Sequence, residues 1–131
     1  MPYNMSPRTF TTGAAVSAKR LVKLDSGNVI HCTATSSDEP IGVSQYAGSS
    51  GDDIAIDLLG EGRTYEIEAA GAISVGADVF AAANGQIEAL PSDDTDEHKQ
   101  IGIALEAASG SGSVIEVLAY DVHNTETGTG S

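Results

Sequence analysis

Short apolar runs separated by Gly, Ser, Asn and Asp recur along the whole chain, and none keeps a helical period for more than a turn or two. Ser26-Gly27 and Asn84-Gly85 are turn dipeptides set between such runs, the mark of a β-hairpin. Ile54-Ala55-Ile56-Asp57-Leu58 and Val114-Ile115-Glu116-Val117-Leu118 are rich in β-branched residues but alternate only in part. Runs of that kind suit strands covered on both faces. The pattern predicts nine strands, over 21–24, 29–34, 41–45, 53–58, 64–67, 78–82, 86–90, 100–105 and 113–119. Residues 66–72 contain helix formers, but Gly71 and Gly76 limit them to a short helix or a turn. The expected fold is mainly β, a small sandwich or barrel-like domain.

The order of elements repeats. Ile41-Gly42-Val43, a Gly/Ser loop and residues 54–58 are followed sixty positions later by Ile101-Gly102-Ile103, a second Gly/Ser loop and residues 114–118. Upstream, residues 18–29 align with 76–87 at an offset of 58. The domain is therefore expected to consist of two similar halves, approximately 16–58 and 74–118. Residues 1–13, with two prolines, two methionines, Tyr3 and Phe10, show no period and read as an N-terminal arm. Residues 14–122 read as the β-rich domain and 123–131 as a polar Gly/Thr-rich tail.

Composition narrows the function. Leu, Ile, Val and Phe supply only 28 of 131 residues, and the formal charge is -13 from 19 acids and 6 bases. So thin a core suggests a domain that gains stability from partner chains. Six scattered bases give no footprint for nucleic-acid phosphates or an anionic membrane surface. The N-terminal residues lack the order of a secretory signal, and a single Cys32 forms no internal disulfide, so synthesis in the cytosol is expected.

Candidate chemistry is sparse. His31 and Cys32 are adjacent in a predicted strand, so their side chains point to opposite faces and cannot act as base and nucleophile together. No G-x-S-x-G elbow is present. Asp94, Asp96 and His98 could face one side of an extended loop. The spacing of the helix-loop-helix calcium motif is missing, however, and a solvated acidic loop is the expectation. Asp38-Glu39 and Asp52-Asp53 read as surface turns. Gly48-Ser49-Ser50-Gly51 and Gly110-Ser111-Gly112 match no phosphate loop and read as turns. Neither a cofactor nor a metal is expected, and no catalytic residue stands out. The cluster Lys19, Arg20 and Lys23 could meet an acidic partner or be balanced by nearby acids.

The run from Glu68 through Gly71, Val75, Gly76 and Phe80 into Ala83-Asn84-Gly85 is followed by Ile101-Gly102-Ile103-Ala104-Leu105-Glu106-Ala107-Ala108 and the closing strand 114–118. Over roughly residues 16–119 this resembles the tailed-bacteriophage head-decoration, or capsid cement, proteins. The resemblance implies a non-enzymatic decoration domain on the outer capsid surface of the virion, commonly a homotrimer at local three-fold positions. Its partners would be the major capsid protein and further copies of itself, with no nucleic acid and no membrane. Tyr3, Arg8, Phe10, Lys19 and Arg20 are the candidate partner contacts: the aromatics as anchors of an arm on a neighbouring sheet edge, the bases against an acidic surface. A carbohydrate- or host-binding β-module on the virion is the alternative, although four Tyr and no Trp supply few platforms. A small hydrolase is the weakest reading.

Overall fold

The computed structural model describes residues 8–34, 38–60, 62–91 and 97–119, together with the backbone of 125–127. The N-terminal half runs through β1 (Arg8–Thr11), β2 (Leu21–Asp25), β3 (Asn28–His31), β4 (Gly42–Ser44) and β5 (Asp53–Leu58). The C-terminal half follows with β6 (Thr64–Glu68), β7 (Asp78–Ala81), β8 (Ile87–Glu88), β9 (Glu97–Ala104) and β10 (Val114–Ala119), and β11 (Thr125–Thr127) pairs with β9. All strand pairings are antiparallel. The protein is mainly β, and no helix among the described residues is long and apolar enough to cross a membrane. The stretch 66–72 is not helical: β6 runs to Glu68, and Ala69 bridges to Ile87.

Each half forms one sheet, and the strand orders match. The first is β1-β5-β4-β2-β3 and the second β6-β10-β9-β7-β8, which is one path taken twice. A single parallel bridge curls each sheet toward closure, Thr12 to Val29 in the first and Ala69 to Ile87 in the second. A pair of reciprocal backbone hydrogen bonds straps each sheet, Val16 with Gly48 and Ile73 with Ala108. The two similar halves expected from the sequence are thus two small sheets of one topology.

The register refines the sequence alignment. Val22 pairs with Gly42 and Val79 with Gly102, which makes the offset 57 at the start of β2 and β7. The pairing shifts between Val79 and Phe80, and the following turns, Ser26-Gly27 and Asn84-Gly85, lie 58 apart. The offset of 57 holds through Leu24 and Ala81, which pair with Val29 and Ile87, so the extra residue sits in the second hairpin loop and an alignment at a constant 58 is one position out upstream of that loop. A longer Gly/Ser loop adds another, so that Ile54 corresponds to Ile115 and Ile56 to Val117.

The repeat also extends further than composition indicates. β1 occupies the place of β6: Phe10 faces Ile54 as Ile67 faces Ile115. Residues 8–11 of the segment read as an arm therefore complete the first sheet of their own chain, and Thr12 is buried with its Oγ1 donating to Ser49 O at 2.6 Å. β9 begins at Glu97, three residues before the expected strand. Its polar start conceals the strand in the sequence, because His98, Lys99 and Gln100 are all buried and residues 97–99 pair with β11.

Two glycines show how closely the strands approach. A Cβ on Gly42 would collide with the carbonyl of Asp57, and one on Gly102 with the carbonyl of Leu118. The Ile-Gly-Val and Ile-Gly-Ile signatures therefore mark equivalent close passages. Val16, Val22, Val29, Ile54 and Ile56 form a small core inside the first half, with Phe10 and Ile41 against it. Their counterparts Ile73, Val79, Ile87, Ile115 and Val117 belong to a larger core that also takes in Leu21, Cys32 and Val43 of the first half. That shared core makes the halves one packed unit.

Candidate interaction surface

The seam between the halves is built from β6 and the β7–β8 turn on one side and residues 19–45 on the other. Lys19 takes a left-handed conformation, φ 62°, where its counterpart Gly76 has φ 84°. The bend turns the carbonyl of Lys19 to Glu68 N, 2.9 Å away. Arg20 reaches across, donating from Nη1 to Asn84 O and from Nη2 to Glu68 Oε2, both at 2.9 Å, with its side chain only 15% exposed. Gly85 N donates to Cys32 O at 2.8 Å, and a Cβ at Gly85 would approach Leu21 O to 2.5 Å, so the turn sits flush against the first half. Lys99 of β9 is buried and donates to Glu39 Oε1 at 2.8 Å.

The described connector residues Leu59, Gly60, Gly62 and Arg63 are held from the same side. Tyr65 is buried; its hydroxyl donates to Leu58 O at 2.7 Å and accepts from Gly60 N at 2.8 Å. Arg63 lies 5.4 Å above the Tyr65 ring and also donates to Leu58 O. Burial pushes the Tyr65 phenol above its ordinary pKa, which keeps the donating proton in place. Beside this junction lies a cleft of about 270 Å³ lined by Lys19, Val43, Ser44, Gln45, Asp57 and Thr64–Glu66.

The candidate contacts fall into two groups. Arg8 and Phe10 meet on β1, with the guanidinium 4.9 Å from the ring centroid and Arg8 exposed. Lys19 and Arg20 sit at the seam, and both already have acidic partners in the same chain: Lys19 pairs with Glu66 at 3.4 Å and Arg20 with Glu68. Lys23, the third base of that cluster, donates to Asp38 at 2.7 Å. Tyr3 lies outside the described residues.

Asp38, expected on a surface turn, is buried and accepts from Lys23 Nζ, Thr33 N and Thr33 Oγ1. Burial pushes its carboxyl up, but the bonds from Lys23 and Thr33 outweigh that and hold it below the ordinary carboxylate value. The spacing of Lys23 and Asp38 gave no sign of this pairing, because the loop between them determines it.

His31 and Cys32 do not form a catalytic pair. His31 Nε2 accepts from Ser17 N at 2.9 Å, and burial lowers its pKa. Cys32 is fully buried in the shared core, where burial above all, and then the charge of Asp38, push its thiol up to about 12. A thiol so poorly ionised is a weak nucleophile. Asp94 and Asp96, weighed as metal ligands, lie outside the described residues, and His98 is buried within β9. No group of acids, His and Cys that could hold a metal ion occurs among the described residues.

The described residues thus form two similar β-halves joined by a polar seam, with a cleft beside it. A family model described as phage cement protein matches residues 4–119. The chain belongs to the phage cement protein family. This places the cement domain in a family of structural phage-head proteins that associate with the capsid. The domain also resembles the solved head fiber gp8.5 N base of bacteriophage phi29, with a TM-score of 0.69 at 19% identity, covering 88% of this chain and 94% of that one. At that identity the likeness shows a common fold. No curated protein matches the sequence.

Proposed function

We propose that this cement protein is a non-enzymatic decoration protein of the outer capsid surface, bridging major capsid protein subunits and stabilising the expanded shell as a homotrimer. The observation that carries the reading is the family match across residues 4–119, which takes in both halves and most of the segment ahead of β1. The buried thiol of Cys32 and the engaged imidazole of His31 support a role by binding rather than turnover.

The mechanism is linkage. A ligand that binds the assembled shell better than its separated subunits biases the equilibrium toward assembly. Several weak contacts per oligomer combine through high effective concentration, so no single contact need be strong. We assign the capsid contact to residues 1–7, with Tyr3 as an anchor, together with the exposed Arg8 of β1, whose guanidinium lies over the half-buried Phe10 ring.

The test is cosedimentation of purified protein with undecorated heads of the same phage, counting copies per particle. Saturable binding at a fixed copy number and a higher temperature of head disruption are expected. Removal of residues 2–7 should weaken attachment while the melting temperature of the free protein holds. Absence of binding by the full chain overturns the reading, and wild-type affinity in the truncated chain overturns the arm assignment. Removing residues 2–13 instead would strip β1 from its sheet and unfold the first half.

A further inference from the structure

The two halves follow one path, so positions of the first half have counterparts in the second. Where the counterparts differ in chemistry, the first half carries groups that the shared fold does not require. The cleft of about 270 Å³ at the seam is such a place. Gly42 matches Gly102 and Ile56 matches Val117, and Gln45 N donates to Ala55 O as Leu105 N donates to Glu116 O. The lining residues Lys19, Ser44, Gln45 and Asp57 therefore stand where the second half has Gly76, Ala104, Leu105 and Leu118. Tyr46, the residue after Gln45, stands where Glu106 does and is 64% exposed. Val43 faces Asp57 across the sheet as Ile103 faces Leu118, so the strand pairing accepts leucine in place of the carboxylate.

Ser44 is occupied within the chain, its hydroxyl donating to Ser17 O and accepting from Arg20 N. The other groups leave a mixed set of donors and acceptors. Gln45 Nε2 donates to Asp57 Oδ2, which holds the amide and the carboxylate side by side. Among the described residues, Gln45 Oε1, Asp57 Oδ1 and the hydroxyl of Thr64 take part in no hydrogen bond. Lys19 Nζ lies 3.4 Å from Glu66 Oε1, with both side chains open to solvent. A simple cation in the cleft would meet the Lys19 ammonium, and a simple anion the carboxylates of Asp57 and Glu66. A hydroxyl both donates and accepts, so a neutral polyol can bond to this set without opposing either charge. In size the cleft falls at the lower end of ligand pockets, which suits a single ring. The exposed Tyr46 ring adds an apolar surface on the bend that carries Gln45.

We infer that this cleft binds one neutral pyranose, the terminal residue of a glycan. Gln45 and Asp57 bond adjacent hydroxyls, and Tyr46 packs on the ring. So few contacts give an affinity on the order of millimolar, and display of many copies together raises it through effective concentration. The site is complete in the isolated chain and does not rest on capsid attachment.

Titration of the isotope-labelled full chain with the methyl glycosides of glucose, galactose and N-acetylglucosamine, followed through backbone amide shifts, tests it. At least one glycoside should give saturable shifts at residues 44–46, 57 and 64–66. Gln45→Leu, Tyr46→Glu and Asp57→Leu each make the first half like the second, and all should keep the circular dichroism of the wild type. The changes at Gln45 and Asp57 should weaken binding about tenfold or more, and Tyr46→Glu about threefold. Leu105→Gln, an exchange at the equivalent exposed position of the second half, should leave binding unchanged. No saturable shift with any of the three glycosides, shifts confined to other residues, or exchanged variants that bind like the wild type would each overturn the inference. Shifts at the cleft with Nα-acetyl-lysine methylamide, and none with the glycosides, would assign it to a basic side chain and overturn the inference as well.

Discussion

Gly42 and Gly102 perform one task in two places, letting a neighbouring strand's carbonyl pass where any Cβ would collide. Gly102→Ala should cost about 2–4 kcal/mol, since neither backbone can yield without breaking the pairing of Gly102 with Ala119 and Val79. Urea denaturation at neutral pH measures it, and a loss below about 0.5 kcal/mol would mean that the sheet relaxes freely. Lys19 holds the left-handed bend that Gly76 makes without a side chain. Such a conformation costs a non-glycine residue about 1–3 kcal/mol, and the bonds of Glu68 and Arg20 around the bend offset it.

Acid sensitivity is also a residue-scale property. His31 has a folded pKa below its ordinary 6.5, so its contribution to stability is complete above that value and fades as pH falls below it. Asp38, held below its ordinary 3.8, contributes fully above that value and fades as pH falls through its folded pKa. Lower pH also relieves the repulsion of a chain carrying -13 charges, so variants must separate the effects. His31→Gln should flatten the melting-temperature profile just below pH 6.5, and Asp38→Asn should flatten only its most acidic limb. Unchanged profiles in both would show that other carboxylates dominate.

At the scale of elements, the seam depends on Arg20 more than on the other bases. Its guanidinium bonds the β7–β8 turn and Glu68 together, while Lys19 pairs with Glu66 at the solvent edge. Arg20→Ala should cost about 1.5–3 kcal/mol, within the range for hydrogen bonds to charged groups, and Lys19→Ala less than about 1. Arg20→Lys should recover little, because one ammonium cannot span Asn84 O and Glu68 Oε2 as the planar fork does. Thermal melts of the three variants decide the order, and equal losses at Lys19 and Arg20 would remove the distinction.

For the whole molecule, duplication explains why a chain with so few large apolar residues folds. Each half has its own curled sheet, and Leu21, Cys32 and Val43 of the first complete the core of the second. Decoration of a head would draw on the surface that remains, through the bridging contacts proposed for the segment ahead of β1.

The order of apolar runs and turn dipeptides determined the β fold, nine of its strands and its two similar halves, because strand period and turn chemistry are local and survive duplication. The likeness of Ile41-Gly42-Val43 to Ile101-Gly102-Ile103 was visible for the same reason. β1 went unread because Arg8-Thr9-Phe10-Thr11 shares with Tyr65-Glu66-Ile67-Glu68 only an alternation, too short a signal without the partner strand β5. Likewise, only the tertiary structure could place Asp38 beneath Lys23, carry Arg20 across the seam and leave Leu24 bare while its counterpart Ala81 is covered. Those outcomes depend on which surfaces of distant segments meet, and local propensity does not encode that choice.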